Sequence, residues 1–358
     1  MPMDAERGRR GSRSRCLLVG TGSRAQRYLD AISGPDADVA EVVALADPNP
    51  GRVGVHADRL REAGAAEPER LEPAALGDAV RRLGVDRVIV TSPDATHAMH
   101  AVTAMDAGAD VVVEKPLTTS EEGVRASAAA VERTGRDLTI TFDYRYAPRN
   151  TALKQVIASG RIGRPTQVHF ERVLDTAHGA DSFRRWHRDE AVSGGLRFYG
   201  AEAAAARGLG PRPERGTTDS PLADAFSLDL RAEPAHRRGA VLLDGAGRVV
   251  VNQSTHPELV VDDGARPVAE RLVVQRHFAV AEEVPIDRGT GGHGGGDAVL
   301  LGDVFRGGRV DPLGHVVSWR DGVRSVVVGP AGNCSLETGQ AVRVADLDLG
   351  AAASLVAR

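Results

Sequence analysis

Cys16-Leu17-Leu18-Val19-Gly20-Thr21-Gly22-Ser23-Arg24-Ala25 is a short apolar run that breaks at once into a glycine turn. Gln26 to Ile32 then carries helical spacing, with Tyr28, Leu29 and Ile32 on one face. Strand, glycine turn and helix in that order make an anion site. Free N–H groups and the dipole at the helix start favour a phosphate. Gly20 permits the tight turn, Gly22 lets the backbone approach a pyrophosphate, and Ala25 is small enough for close helix–strand packing. Thr21, Ser23 and Arg24 complete the loop.

The pattern continues outward from this unit. Glu41-Val42-Val43-Ala44-Leu45-Ala46-Asp47 is a second apolar strand, and it ends in a carboxylate. An acid there can accept hydrogen bonds from an adenosine ribose and repel a 2′-phosphate, which favours NAD. Before Pro48, Asp47 also reads as a plain turn residue. Arg24 and Arg52 are nearby cations, so NADP stays open. Arg87 to Thr91, Val111 to Val113 and Leu138 to Phe142 read as further strands, with helices over Ala95–Asp106 and Ser120–Arg133 between them. Alternating strands and helices mean a parallel, doubly wound sheet, whose ligands bind beyond the carboxyl ends of the strands. Gly20, Asp47, Ser92 and Lys115 all fall at such ends.

Lys115 stands out for a second reason. The chain has two lysines, and almost every other basic residue is arginine. An ammonium can give or take a proton when its surroundings shift it, whereas a guanidinium effectively cannot. Lys154, in an ordinary amphipathic stretch, is equally rare and reads as a solvated side chain.

Gly20-Thr21-Gly22-Ser23-Arg24, Thr91-Ser92-Pro93-Asp94-Ala95-Thr96-His97 and Glu114-Lys115-Pro116-Leu117 together resemble the Gfo/Idh/MocA oxidoreductases, with matching order and spacing across residues 15 to 150. The resemblance implies that Lys115 lies between nicotinamide and substrate as the catalytic group. It also implies cofactor contacts for Ser92, Pro93, His97 and Glu114. On its own, His97 reads as a helix-start or packing residue. Thr141-Phe142-Asp143-Tyr144-Arg145-Tyr146 resembles the family's passage into its second domain, which makes Tyr144 and Arg145 candidate substrate residues.

The second half follows the family less well. Pro165 to Val173 alternates as a half-buried strand. Phe183-Arg184-Arg185-Trp186-His187-Arg188-Asp189 resembles the substrate-domain loop, so Arg185, Trp186 and His187 are candidates for holding a polar ligand. Read without the resemblance, Trp186 is a core anchor among solvated charges. Ser193-Gly194-Gly195-Leu196 looks like the start of the family's main substrate motif. The helix that should follow, with its His, Asp and Trp, is replaced by Arg197-Phe198-Tyr199-Gly200-Ala201-Glu202-Ala203. His187 or His293 would then partner Lys115. Residues 207–240, rich in Arg, Pro, Gly and Ala, show no period and are expected as a loop or lid. Ser254-Thr255-His256-Pro257 imitates the missing helix, but Pro257 argues for a turn there. Gly291 to Asp297 opens a helix through Phe305, with His293 and Asp297 spaced to face one side. The resemblance aims this loop at the active-site cleft, which makes Asp297 a candidate substrate residue, and a capping role is the simpler alternative. One His and one Asp make no metal site, so no metal is expected. Gly329-Pro330 interrupts what should be a continuous helix.

Composition sets the outer bounds. The chain has 358 residues, 42% hydrophobic and 26% charged, with net charge -4, so nucleic acid is not implied. Cys16 and Cys334 make no disulfide framework, which fits a reducing cytoplasm. The Arg-rich start is followed by an apolar run too short for a signal core or a membrane span.

The expected architecture is therefore α/β. A basic tail (1–14) precedes an N-terminal Rossmann doubly wound parallel sheet (15–143). A smaller, shortened α+β substrate and dimerisation domain follows (144–358), with an open, mostly antiparallel sheet. The resemblance implies an NAD(P)-dependent oxidoreductase acting on a secondary alcohol or ketone of a sugar, cyclitol or related metabolite. It leaves two alternatives: a redox-neutral NAD-using lyase, epimerase or glycosidase, or a degenerate binding protein. It also implies pairing of copies through the second-domain sheet, which the shortened sheet leaves open.

Overall fold

The computed structural model describes residues 13–162, 165–173, 186–194, 225–232, 247–254, 270–276, 279–287, 289 and 292–356. Two sheets organise them. The first runs β3-β2-β1-β4-β5-β6 and is parallel throughout: β1 (Ser14–Val19), β2 (Ala40–Ala46), β3 (Glu69–Leu71), β4 (Arg87–Val90), β5 (Asp110–Glu114) and β6 (Leu138–Thr141). This is the doubly wound order in which the first and fourth strands meet at the switch point. The strands are near-continuous apolar runs because both faces are covered. In β1, Leu17 and Val19 enter the core on one face, and Cys16 and Leu18 enter the core on the other. Burial pushes the Cys16 thiol up to about 11, so it behaves as a small apolar side chain.

The intervening helices are α1 (Ala25–Ser33), α2 (Pro50–Glu62), α3 (Leu76–Leu83), α4 (His97–Asp106) and α5 (Glu121–Thr134). Their ends obey local chemistry. The Asn49 side chain accepts from Gly51 N and Arg52 N at the start of α2, with Pro50 at the first helical position. Ser120 accepts from Gly123 N at the start of α5, and Gly135 at φ 64° ends that helix.

The second sheet runs β11-β10-β9-β8-β7 and is antiparallel: β7 (Pro165–Val173), β8 (Ala225–Ala232), β9 (Gly247–Ser254), β10 (Glu270–Arg276) and β11 (Glu282–Val284). Helix α6 (Pro148–Ala158) packs on it, with Ala152, Leu153 and Val156 against Leu272 and Val274. The open antiparallel sheet agrees with expectation. The expected loop 207–240 does not, because β8 lies inside it and sits between β7 and β9. Phe226, Leu228 and Leu230 alternate with Ser227, Asp229 and Arg231, a period of two hidden between Arg/Pro/Gly-rich flanks. The flanks, the replacement segment 197–203, the turn at 255–257 and residues 1–12 of the basic tail lie outside the described residues. Ser14, assigned to that tail, already belongs to β1.

The last part of the chain returns to the first sheet. Helix α7 (Glu190–Ser193) precedes β8, and α8 (Gly296–Phe305), α9 (Trp319–Val326) and α10 (Val328–Thr338) follow β11. Leu300, Leu301 and Phe305 of α8 join the core beneath α1. Trp319, Val323 and Val326 of α9, with Leu347, Leu349 and Ala352 beyond α10, join the core on the opposite face. Gly322 lies so close to β6 that a Cβ would stand 2.8 Å from Ile140 Cδ1. The hydrophobic core therefore does not divide where the chain leaves the sixth strand. Between α9 and α10 the helix breaks at Val327, as Pro330 requires, since it has no N–H for the Val326 carbonyl. Among the described residues no helix is long and apolar enough to cross a membrane.

Candidate active site

A cavity of about 610 Å³ runs along the carboxyl ends of β1, β2, β4 and β5, where the sheet order reverses. Gly20, Thr21, Gly22, Ser23, Arg24, Asp47, Ser92, Pro93, His97, Glu114 and Lys115 all line it, together with Trp186 and His187. Ala25 is fully buried behind the turn, as close packing of α1 requires.

One end of the cavity is shaped by backbone. Gly20 has φ +91°, and a Cβ there would lie 2.3 Å from Ser92 N, so the loops after β1 and β4 abut through a position only glycine can fill. Gly22 has nothing within 4 Å of where a Cβ would stand, and it opens on the cavity. Asp47 is 5% exposed. Its Oδ2 accepts from Thr21 N at 2.7 Å and its Oδ1 from Asn49 N at 2.8 Å. The carboxylate thus ties the end of β2 to the glycine turn. Each oxygen keeps a further lone pair for a ribose hydroxyl. Arg52 lines the same end.

His56 was not anticipated. Its Nε2 lies 3.2 Å from Thr21 O and supports the glycine turn from α2. Burial lowers its pKa, so the ring is neutral at neutral pH. It occupies the inner face of α2 with Val53, Ala57 and Leu60, the helical spacing that would have located it.

The other end is built from charged side chains. Glu114 ends β5 at 4% exposure. It accepts from Tyr28 Oη at 2.9 Å and from Arg27, and Arg24 Nε lies 3.5 Å away. Arg27 also reaches Asp143 at 2.7 Å and Asp297 at 3.1 Å, and Arg24 reaches Asp143 at 3.1 Å. Two guanidiniums, from the residue before α1 and from its first turn, are thus interleaved with carboxylates from β5, the turn after β6, and α8. Burial alone would raise the Glu114 pKa, but Arg27, Arg24 and Lys115 overcome it and hold the group ionised. This network adds partners that the sequence reading did not supply. Arg24 lines the cavity and also pairs with Glu114 and Asp143, and Arg52 and Arg59 of α2 line the same cavity. Asp297, expected to hold substrate, pairs with Arg27 and does not line the cavity. Arg27, unassigned from sequence, is the hub, and it shares a helical face with Arg24 and Tyr28.

His97 opens α4 and is 1% exposed. Its Nδ1 faces Pro116 O at 2.7 Å and its Nε2 faces Ser92 O at 2.8 Å. Burial outweighs these carbonyls and lowers its pKa. Its polar atoms are spent on the protein, and it joins the Ser92 loop to the turn that carries Lys115. That turn contains a cis Lys115–Pro116 peptide bond.

Trp186 and His187 stack with ring centroids 3.7 Å apart and line the same cavity as Lys115. Beyond them, the Asn333 side chain donates to Gly194 O at 3.2 Å, which ties this segment to α10. The remaining substrate candidates point elsewhere or lie outside the described residues. Tyr144 packs under Arg149, whose Cζ is 5.2 Å from the ring centroid. Arg145 lies over Phe142 and reaches Asp321 of α9 at 4.0 Å. Neither lines the cavity. Arg185 and the His293 side chain are outside the described residues. Among the described residues no group of three or more His, Cys, Asp or Glu could hold a metal ion.

Comparison with known proteins agrees with this geometry. Residues 14–142 match the GFO_IDH_MocA model, described as an oxidoreductase family with an NAD-binding Rossmann fold. The chain is 33% identical over 159 residues to the inositol 2-dehydrogenase of Rubrobacter xylanophilus, covering 44% of this chain and 39% of that protein. It is 31% identical over 155 residues to scyllo-inositol 2-dehydrogenase (NAD(+)) of Bacillus subtilis, covering 42% of each. The chain thus spans about two fifths of the length of the curated relatives it matches. Among solved structures, levoglucosan dehydrogenase in complex with NADH and levoglucosan superposes with a TM-score of 0.61 at 18% identity, over 92% of this chain and 98% of that one. At that identity the likeness is one of fold.

Proposed function

We propose that this chain, whose residues 14–142 belong to the oxidoreductase family with an NAD-binding Rossmann fold, oxidises or reduces a secondary alcohol or ketone of a sugar-like metabolite with NAD(H). The observation that carries the reading is one continuous cavity. It has a backbone-built, phosphate-suited end at Gly20–Gly22 and a proton-bearing end at Lys115, Trp186 and His187.

The fit to a dinucleotide rests on Gly22, which leaves open space at the cavity wall, and on Asp47, whose carboxylate is held rigid with lone pairs to spare. Asp47 would accept the adenosine ribose hydroxyls and disfavour a 2′-phosphate, so NAD is preferred over NADP. When bound, the nicotinamide supplies a hydride acceptor or donor. Lys115 holds the proton of the reacting hydroxyl or polarises the carbonyl oxygen. His187, stacked on Trp186, orients the substrate beside it. His97 keeps Lys115 in register through Pro116. Glu114, Lys115 and His187 in the lining offer charged and hydrogen-bonding groups to a polyhydroxylated substrate, and the inositol and levoglucosan dehydrogenases act on such molecules by name.

The test is NAD reduction by the purified chain against a panel of inositols, aldoses and anhydrosugars, with Lys115→Met beside the wild type. Turnover on one class, reduced about 10²- to 10⁴-fold in Lys115→Met with NADH binding retained, is expected. Wild-type turnover that survives Lys115→Met unchanged would overturn the assignment.

A further inference from the structure

Asp94 lies in the wall of the same cavity as Lys115. It is 4% exposed, and its Oδ2 has no hydrogen-bond partner among the described residues. It opens the short turn Asp94–Thr96 that leads into α4, and no side chain caps that turn. A buried carboxyl oxygen without a donor is costly.

Among the described residues, two charged groups act on it. Lys115 attracts its charge and Glu114 repels it, both from the end of β5. Helix α7 packs over the turn and brings Ser193, which is 1% exposed, while the side chain of Glu190 lies outside the described residues. His97, which opens α4, faces two backbone carbonyls. Glu114 is held towards its ionised form by Arg27 and Arg24. Asp94 has no such restraint. Burial raises its pKa to about 8 and Lys115 offsets only part of that, so it exchanges a proton near neutral pH.

We propose that Asp94 is the proton partner of Lys115: it exchanges with the lysine the proton that the substrate hydroxyl releases. The inference rests on the oxidoreductase reading above. In oxidation the substrate C–H bond breaks and its electron pair leaves with hydrogen to the nicotinamide. The O–H bond breaks as the C=O bond forms. Lys115 Nζ takes that proton while passing one of its own to the Asp94 carboxylate, so the lysine is unchanged and Asp94 ends protonated. Reduction runs in reverse. Asp94 acts through Lys115 and is a positioning residue in this sense.

The rarity of lysine makes the test direct. Lysine enriched in carbon-13 at Cε gives two side-chain signals, from Lys115 and Lys154, which Lys154→Arg assigns. Both are titrated from about pH 5 to about pH 10 in the wild type, Asp94→Asn and Asp94→Glu. A second inflection in the Lys115 curve, lost in Asp94→Asn and restored in Asp94→Glu, is expected, with Lys154 identical in all three as the check on folding. NADH affinity should change less than about threefold in Asp94→Asn. Superimposable Lys115 curves in wild type and Asp94→Asn overturn the proposal. So does a loss of NADH affinity beyond about tenfold in Asp94→Asn, which makes Asp94 an acceptor for a cofactor hydroxyl. Failure of the wild type to bind NADH overturns the oxidoreductase reading instead, while the lysine curves still decide whether the two groups share a proton.

Discussion

The two ends of the cavity are held together by different physics. At the Gly20–Asp47 end the backbone does the shaping: a glycine that tolerates no Cβ, and a carboxylate that accepts two amide hydrogens. At the Lys115 end, charged side chains from α1, β5, the turn after β6, and α8 hold one another. A backbone-built site is specified by a few neighbouring residues and is hard to vary. A side-chain-built site needs distant segments to converge, and it fails as a unit when one member is removed.

The contrast is broken most severely at Arg27. Arg27→Met keeps the bulk but leaves Glu114 and Asp143, each 4% exposed, short of their shared cation. A loss of about 3–5 kcal/mol in urea unfolding is expected. The pH dependence supplies a sign. The Glu114 pKa is lowered in the folded protein, so its contribution to stability is complete above the unfolded value of 4.5 and fades as pH falls through the folded value. The gap between wild type and Arg27→Met should therefore narrow in acid. A constant gap would mean that Arg27 acts through packing alone.

The backbone-built end breaks at Gly20. Gly20→Ala must seat a Cβ 2.3 Å from Ser92 N at φ +91°, for a cost of about 2–4 kcal/mol and an NADH affinity reduced at least about tenfold. Unchanged affinity would show that this turn does not meet the cofactor.

Asp47 sharpens the comparison with a smaller effect. Asp47→Ala removes the carboxylate that would repel a 2′-phosphate and leaves Arg52 at the same end. The ratio of NADPH to NADH affinity should rise about tenfold, measured by fluorescence titration with each. An unaltered ratio would place the adenosine ribose elsewhere.

The same contrast explains what was legible in the sequence. The Gly20-Thr21-Gly22 turn, Asp47 and the alternation of strands and helices are local patterns, and each is found where the pattern placed it. Lys115 was legible because it follows an apolar strand in a chain with little lysine. Arg27, His56 and Asp94 were not singled out, because their roles depend on partners 20 or more residues away. Helical spacing would have found the first two. The pairing of Asp297 with Arg27 was not legible, because a sequence does not show an arginine 270 residues distant. The strand Ala225–Ala232 was lost because a short alternation is weak evidence between flanks rich in Arg, Pro and Gly. The return of α8 and α9 to the first sheet was equally hidden, since an apolar helix face does not name the surface it covers.

The roles of Lys115 and Asp47 in hydride transfer depend on one dinucleotide lying along this cavity. Titration of the purified chain with NADH, followed by the nucleotide's fluorescence, tests that directly. Saturable binding at one site per chain, in about the micromolar to millimolar range, retained in Lys115→Met and weakened in Gly20→Ala, is predicted. No saturation at millimolar NADH, or binding indifferent to Gly20→Ala, would contradict the account.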